Sequence, residues 1–220
     1  NGDTANDTGA GGEITGNYAT LNPLHSHGSP TFSEGNLKAV TGSSDTNYIG
    51  STIAFPTSGK WYAEVTLESG GYAMVGIIGT KNSFVSSTYL HQLAESYVMY
   101  NSSGGLLGDN SGSSTGSGST FAAGDCIGIA LDMDNQQLRF YKNNTQLGGF
   151  NSVTTSTPLM IAVSDHNSSG SSTFILNTGS RAFKYAAPSG YKCLCTANLP
   201  DPTIADGSNY FQAKTFTGNG

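Results

Sequence analysis

The chain has 220 residues and a mass of 22.7 kDa, long enough for one large β domain or two small ones. Charged residues make up only 11%, Gly numbers 30, and the formal charge is −6 with no cluster of Lys or Arg. That balance argues against long helices and against an electrostatic grip on nucleic acid or anionic lipid. No apolar run reaches the roughly 20 residues that span a bilayer, so membrane insertion is not expected. Cys126, Cys193 and Cys195 are odd in number and too few to staple a chain of this size. All three are expected as reduced side chains in or near the core.

Residues 1–16 combine Gly9, Gly11, Gly12 and Gly16 with Asp, Thr and Asn, and are expected as a flexible N-terminal arm or linker. Phe32 to Val40 and Asn47 to Phe55 are predicted strands flanking a turn at Thr41 to Asp45. From Trp61 to Glu68, apolar Trp61, Ala63, Val65 and Leu67 alternate with Tyr62, Glu64, Thr66 and Glu68. Alternation of that kind predicts a strand with one buried and one wet face. Tyr72 to Gly79 is almost wholly apolar or Gly, the pattern of a central strand covered on both faces. Tyr97 to Tyr100 is a short strand. Thirteen of the 20 residues from Asn101 to Thr120 are Gly or Ser, which predicts a long mobile loop inside a single domain.

The segment from Gly124 to Leu147 is the best-patterned part of the chain. Ile127, Ile129, Leu131 and Met133 share one face, Gly128, Ala130 and Asp132 the other, and Asp134-Asn135 makes a turn. Leu138 and Phe140 resume the alternation as far as Asn143-Asn144, a second turn, because Asn tolerates the positive φ that hairpin turns demand. Pro158 to Val163 and Thr173 to Leu176 are two more strands joined by the polar loop Ser164 to Ser172, and Tyr191 to Ala197 is the last. Short strands at this spacing, without helical periodicity between them, predict an antiparallel sandwich or barrel.

Five motifs then resemble, in order, the strands of SPRY (B30.2-like) domains. They are Gly59-Lys60-Trp61-Tyr62-Ala63-Glu64-Val65, Val75-Gly76-Ile77-Ile78-Gly79-Thr80, Gly124-Asp125-Cys126-Ile127-Gly128-Ile129-Ala130-Leu131-Asp132-Met133-Asp134, Leu138-Arg139-Phe140-Tyr141-Lys142-Asn143-Asn144, and Leu159 to Ser164 followed by Phe174-Ile175-Leu176-Asn177. The resemblance implies a concanavalin A-like all-β sandwich of two antiparallel sheets, at residues 17–198, that binds peptides or proteins through its loops and carries no shared catalytic residues. Asn143-Asn144 stands where the family usually has Asn-Gly.

Residues from Cys195 to Ile204, and on to Gly220, also look like the junction that follows SPRY modules in large structural proteins of tailed, especially marine, phages. That resemblance implies a virion component such as a tail fibre, tail tip or capsid decoration, with 199–220 a C-terminal arm leading to a further domain. The start at Asn1 and the end in Thr217-Gly218-Asn219-Gly220 are what a piece of a longer protein would show.

Several constellations suggest chemistry and have simpler readings. Asp132-x-Asp134-Asn135 suggests calcium, but the Gly and Glu an EF-hand needs at its sixth and twelfth positions are Gln137 and Asn143, so a turn is expected. His25-Ser26-His27 would hold an axial metal only in a symmetric fibre, and reads as polar loop residues. Ser164-Asp165-His166 are adjacent and would not converge as a triad. Glu64 and Glu68 lie ~13 Å apart on a wet strand face, too far for a retaining-glycosidase pair and too exposed for a shifted pKa. No catalytic residue, metal or cofactor is expected, and sequons at Asn6, Asn101, Asn143 and Asn167 receive no role.

The resemblance places ligand binding on loops at one edge of the sandwich. The matching segments are Thr80 to Glu95, with Tyr89, Leu90 and His91, and Ser164 to Ser172, with Asp165, His166 and Asn167. Tyr89 and Leu90 could equally pack as a cover over the core. The expected function is a non-enzymatic virion protein on the phage particle surface, homo-oligomeric in its assembly. Its partners would be other virion proteins or a host surface protein or glycan. A secreted or cell-surface adhesin is the alternative.

Overall fold

The computed structural model describes residues 16–43, 46–82, 88–101, 105–108, 113–114, 120–154, 156–166, 170–200, 204, 209–211, 213–215 and 217–218. Among the described residues, fourteen strands form two antiparallel sheets packed face to face. One sheet has the order β1 (Leu21–His27), β4 (Asn47–Phe55), β13 (Leu159–Asp165), β6 (Ala73–Gly79), β7 (Tyr97–Tyr100), β8 (Gly105–Gly108), β9 (Ser113–Ser114). The other runs β12 (Thr145–Phe150), β11 (Gln137–Lys142), β10 (Cys126–Asp132), β5 (Lys60–Ser69), β14 (Thr173–Asn177), β3 (Lys38–Val40), β2 (Thr31–Ser33). A two-residue strand, β15 (Lys192–Cys193), lies parallel to the start of β5.

The alternation in β5 and β10 builds the core. Val65 pairs with Ile127, Ala63 with Ile129 and Trp61 with Leu131, so one apolar row faces the opposite sheet. That sheet answers with Ile49, Val75, Ile77, Met99, Ile161 and Val163, all fully buried. The β10–β11–β12 meander is as expected, and Asn143 and Asn144 take φ of 47° and 71° at its second turn. The three cysteines are buried free thiols, and burial pushes Cys126 up to about 12.

Four expectations are corrected. Phe32 to Val40 is not one strand, because Glu34, Gly35 and Asn36 adopt consecutive left-handed conformations that turn β2 back onto β3. The Gly/Ser-rich stretch is not wholly loop: β8 and β9 lie within it, since backbone pairing needs no large side chain. Tyr191 to Ala197 yields only β15, because the chain then leaves the sheet to meet residues near the N-terminus, with Tyr18 opposite Cys195 and Ala19 N–H donating to the Leu194 carbonyl. The first arm, residues 1–15, lies outside the described residues.

The fourth correction concerns the face of β5 expected to be wet. Glu64 is only 3% exposed, because the segment after β14 crosses this face. Its carboxylate accepts the backbone N–H groups of Lys184 (2.8 Å) and Tyr185 (2.9 Å), with the Tyr62 hydroxyl at 3.4 Å. Phe183 meets the Tyr62 ring edge-on at 5.0 Å. Tyr62 in turn lies over Gly128, where a Cβ would come within 2.6 Å of its hydroxyl. Burial raises the Glu64 carboxyl above its usual range, opposed by the hydrogen bonds from Lys184 and Tyr185. Glu68 behaves as expected, exposed and paired with Lys38.

Replacing Ile129 by Ala should cost about 2–5 kcal/mol in urea unfolding, whereas Leu24→Ala, at a side chain 97% exposed, should stay within about 0.5 kcal/mol. Glu64→Ala should leave two part-buried N–H groups without their acceptor, lower stability by about 1–3 kcal/mol and accelerate amide exchange at Lys184 and Tyr185. A raised carboxyl pKa contributes stability below the unfolded value of 4.5 that is lost as pH rises through the folded value. Stability-versus-pH curves should therefore lose this slope in Glu64→Gln.

Candidate functional site

A second apolar cluster sits on the outer face of the β1–β9 sheet, where Tyr48, Met74, Ile78, Val98, Tyr100, Met160 and Ala162 are buried. Leu90 and Leu93 cover it from the connection between β6 and β7, which carries a 3-10 turn at Leu90–Gln92. The Tyr89 N–H donates to Gln92 Oε1 (3.2 Å) and the Ser96 hydroxyl to the Leu90 carbonyl (2.7 Å), which fix the turn. Asn82 Nδ2 donates to the carbonyls of Gly79 and Ala94 and so closes the connection's two ends together.

Glu95 anchors the far end of that connection. Its carboxylate accepts the Ser156 N–H (3.0 Å) and the hydroxyls of Ser156 and Thr157. Burial pushes the Glu95 carboxyl up, but these hydrogen bonds outweigh it and hold the group below its ordinary value.

The turn delivers Tyr89 and His91 to the end of the sandwich where β13 runs into the loop before β14. There the Tyr89 ring lies 3.9 Å from the His166 ring and 5.8 Å from His91, parallel to the latter within 7°. Tyr100 joins from β7, its hydroxyl sharing a hydrogen bond with His166 Nδ1 (3.3 Å). The His166 N–H donates to the backbone carbonyl of Tyr72, a residue 44% exposed. Four rings from three chain segments thus form a half-buried platform, the composition of an interface anchor.

Of the site residues read from sequence, Tyr89, His91 and His166 come together at the surface. Leu90 does not reach it: its side chain is fully buried in the second cluster. Asp165 is 1% exposed, with its carboxylate accepting the Ser172 hydroxyl, so it braces the loop from inside. Asn167 lies outside the described residues. Tyr72 and Tyr100 were not singled out by sequence, because both read as strand residues. The only cue was their position at strand ends next to the flagged loops.

The remaining constellations are occupied structurally. Asp132 accepts both nitrogens of Asn135 and pairs with Lys60 (3.0 Å), and Asp134 accepts the Gly59 N–H, which is turn chemistry. Ser164 donates to the Asn47 carbonyl and His166 faces the tyrosines, so Ser164-Asp165-His166 diverge. His27 stacks on Tyr48 and bonds the Thr46 carbonyl. Among the described residues no three His, Cys, Asp or Glu side chains converge as a metal site. A groove of about 570 Å³ at the opposite end of the sandwich is lined by Lys60, Trp61, Asp134, Lys192 and Pro200, but Lys60 and Asp134 already spend their polar groups within the fold.

No curated protein matches the sequence at a significant level. Among solved structures, the SPRY domain of human HERC1 is similar with a TM-score of 0.62 at 19% identity, over 75% of this chain and 99% of that one. The TRIM65 PSpry domain gives 0.57 at 18% identity, over 73% and 93%. The stonustoxin structure gives 0.58 at 21% identity over 73% of this chain, which spans only 27% of the toxin chain. These likenesses concern the fold. The family model for the SPRY domain matches residues 60–178, more than half of the sequence, with all of β5 to β14 inside it. The chain belongs to the SPRY domain family, whose members are commonly protein-interaction modules.

Proposed function

We propose that the chain is a non-catalytic recognition module that takes a protein partner on the platform of Tyr89, His91, Tyr100 and His166. The observation that carries this reading is the Tyr89–His166–Tyr100 stack, which joins two loops and a strand end into one half-exposed aromatic surface. Aromatic rings held in place before binding offer large contact area at little entropic cost. The sandwich at 17–198 is the recognition unit, and 1–16 and 199–220 are arms that tie it to its neighbours.

The reading extends to the setting: a homo-oligomeric structural protein of a tailed phage, displaying this platform toward other virion proteins or a host surface. Its support is the resemblance of the segment from Cys195 onward to junctions in such proteins, with a surface poor in charge and rich in Ser, Thr, Gly and Asn.

Peptides selected from a randomised library on the native protein should bind Tyr89→Ala and His166→Ala at least about tenfold more weakly, with melting temperatures little changed. Equal binding to both variants would move the site elsewhere. For the setting, mass spectrometry of purified virions from a phage encoding this sequence should detect the protein, and its absence from the particles would refute the assignment.

A further inference from the structure

The platform contains two of the chain's four histidines, and the way they are packed has a consequence for its control. Tyr89 contacts both, lying against His166 on one side and parallel to His91 on the other. His91 rides on the 3-10 turn whose Leu90 is buried in the second cluster, so the backbone that carries the His91 ring is held by a core residue. Nδ1 of His91 is buried and meets no hydrogen-bond partner among the described residues. Neutral imidazole tolerates this with its proton on Nε2, whereas imidazolium would place an unmatched N–H in that position.

Among the described residues, the surrounding groups offer little compensation for positive charge on His91. From its own turn comes Tyr89, from the β13–β14 loop His166, and from β7 Tyr100 by way of His166. Asp165 at the end of β13 is buried, with its carboxylate accepting the Ser172 hydroxyl. Glu95 is taken up by Ser156 and Thr157. At the start of the connection, His25 from β1 interacts with the Asn82 backbone. Burial first, and then the neighbouring His166, hold His91 below the ordinary imidazole value of 6.5.

We propose that His91 makes this binding end acid-responsive. With its imidazole neutral, Tyr89 bridges His91 to His166 and the turn at Leu90–Gln92 stays docked. When His91 takes up a proton, an N–H appears at the unmatched Nδ1 and the turn lifts from the sheet. The platform then comes apart and releases its partner, a regulation that rests on the binding role proposed above. The sign follows from linkage: a histidine depressed in the docked state contributes stability in full above 6.5, and that contribution is lost as pH falls through the docked value.

The test is amide exchange on the free, full-length chain at about pH 7.5 and about pH 5, corrected for intrinsic rates. Protection at residues 89–93 should fall at least about tenfold in acid while β10 is unchanged, and His91→Phe, which keeps a ring without the proton, should suppress the response. Imidazole nitrogen shifts of the wild type supply a readout that needs no variant: His91 should titrate below 6.5, together with the loss of protection. Unchanged protection at 89–93, equal loss in β10, or a full response in His91→Phe would overturn the proposal. These readouts require no ligand, so an acid response with no platform-dependent peptide would refute the binding role alone. Peptide affinity equal at both pH values would refute the regulation alone.

Discussion

The β5–β10 ladder runs unbroken from Cys126 opposite Thr66 to Asp132 opposite Lys60, and its register decides which face every neighbouring side chain occupies. A slip of one residue would turn Ala63, Val65, Ile127 and Ile129 outward and bring Glu64 and Thr66 into the space between the sheets. Because the apolar row is completed by the opposite sheet, this register also sets where β13 and β6 end. The loops that follow those two strands carry His166 and lead to Tyr89.

Both sheets are covered on part of their outer faces as well, and the two coverings solve the same problem in the same way. A segment laid across a sheet brings backbone N–H groups out of water, and they must be matched. Glu64 matches those of Lys184 and Tyr185 on one side, and Glu95 matches that of Ser156 beside the connection on the other. Their electrostatics nevertheless differ in sign. Burial dominates at Glu64 and raises its carboxyl, whereas at Glu95 the Ser156 and Thr157 donors prevail and lower it.

The platform follows from this second layer. Without Leu90 and Leu93 seated on the outer cluster, nothing would hold Tyr89 against His166, and the two flagged loops would be separate features. The proposed recognition surface therefore rests on a small secondary core. Such a core is also a place where one buried imidazole can tip the balance between docked and loose.

Much of this was legible in sequence. Alternation located β5, β10 and β11, unbroken apolarity located β6, and Asn143-Asn144 announced its turn, because these features depend on neighbours two or three residues apart. The ordered motifs led to the family, and the two loops were flagged from them. Tertiary structure alone decided which side chains those loops present. Leu90 and Asp165 went inside, Tyr100 met His166 from a largely buried position on β7, and Glu64 was buried by residues some 120 positions away. Those outcomes depend on which distant segment covers a given face, and a strand's own alternation says only that the face exists.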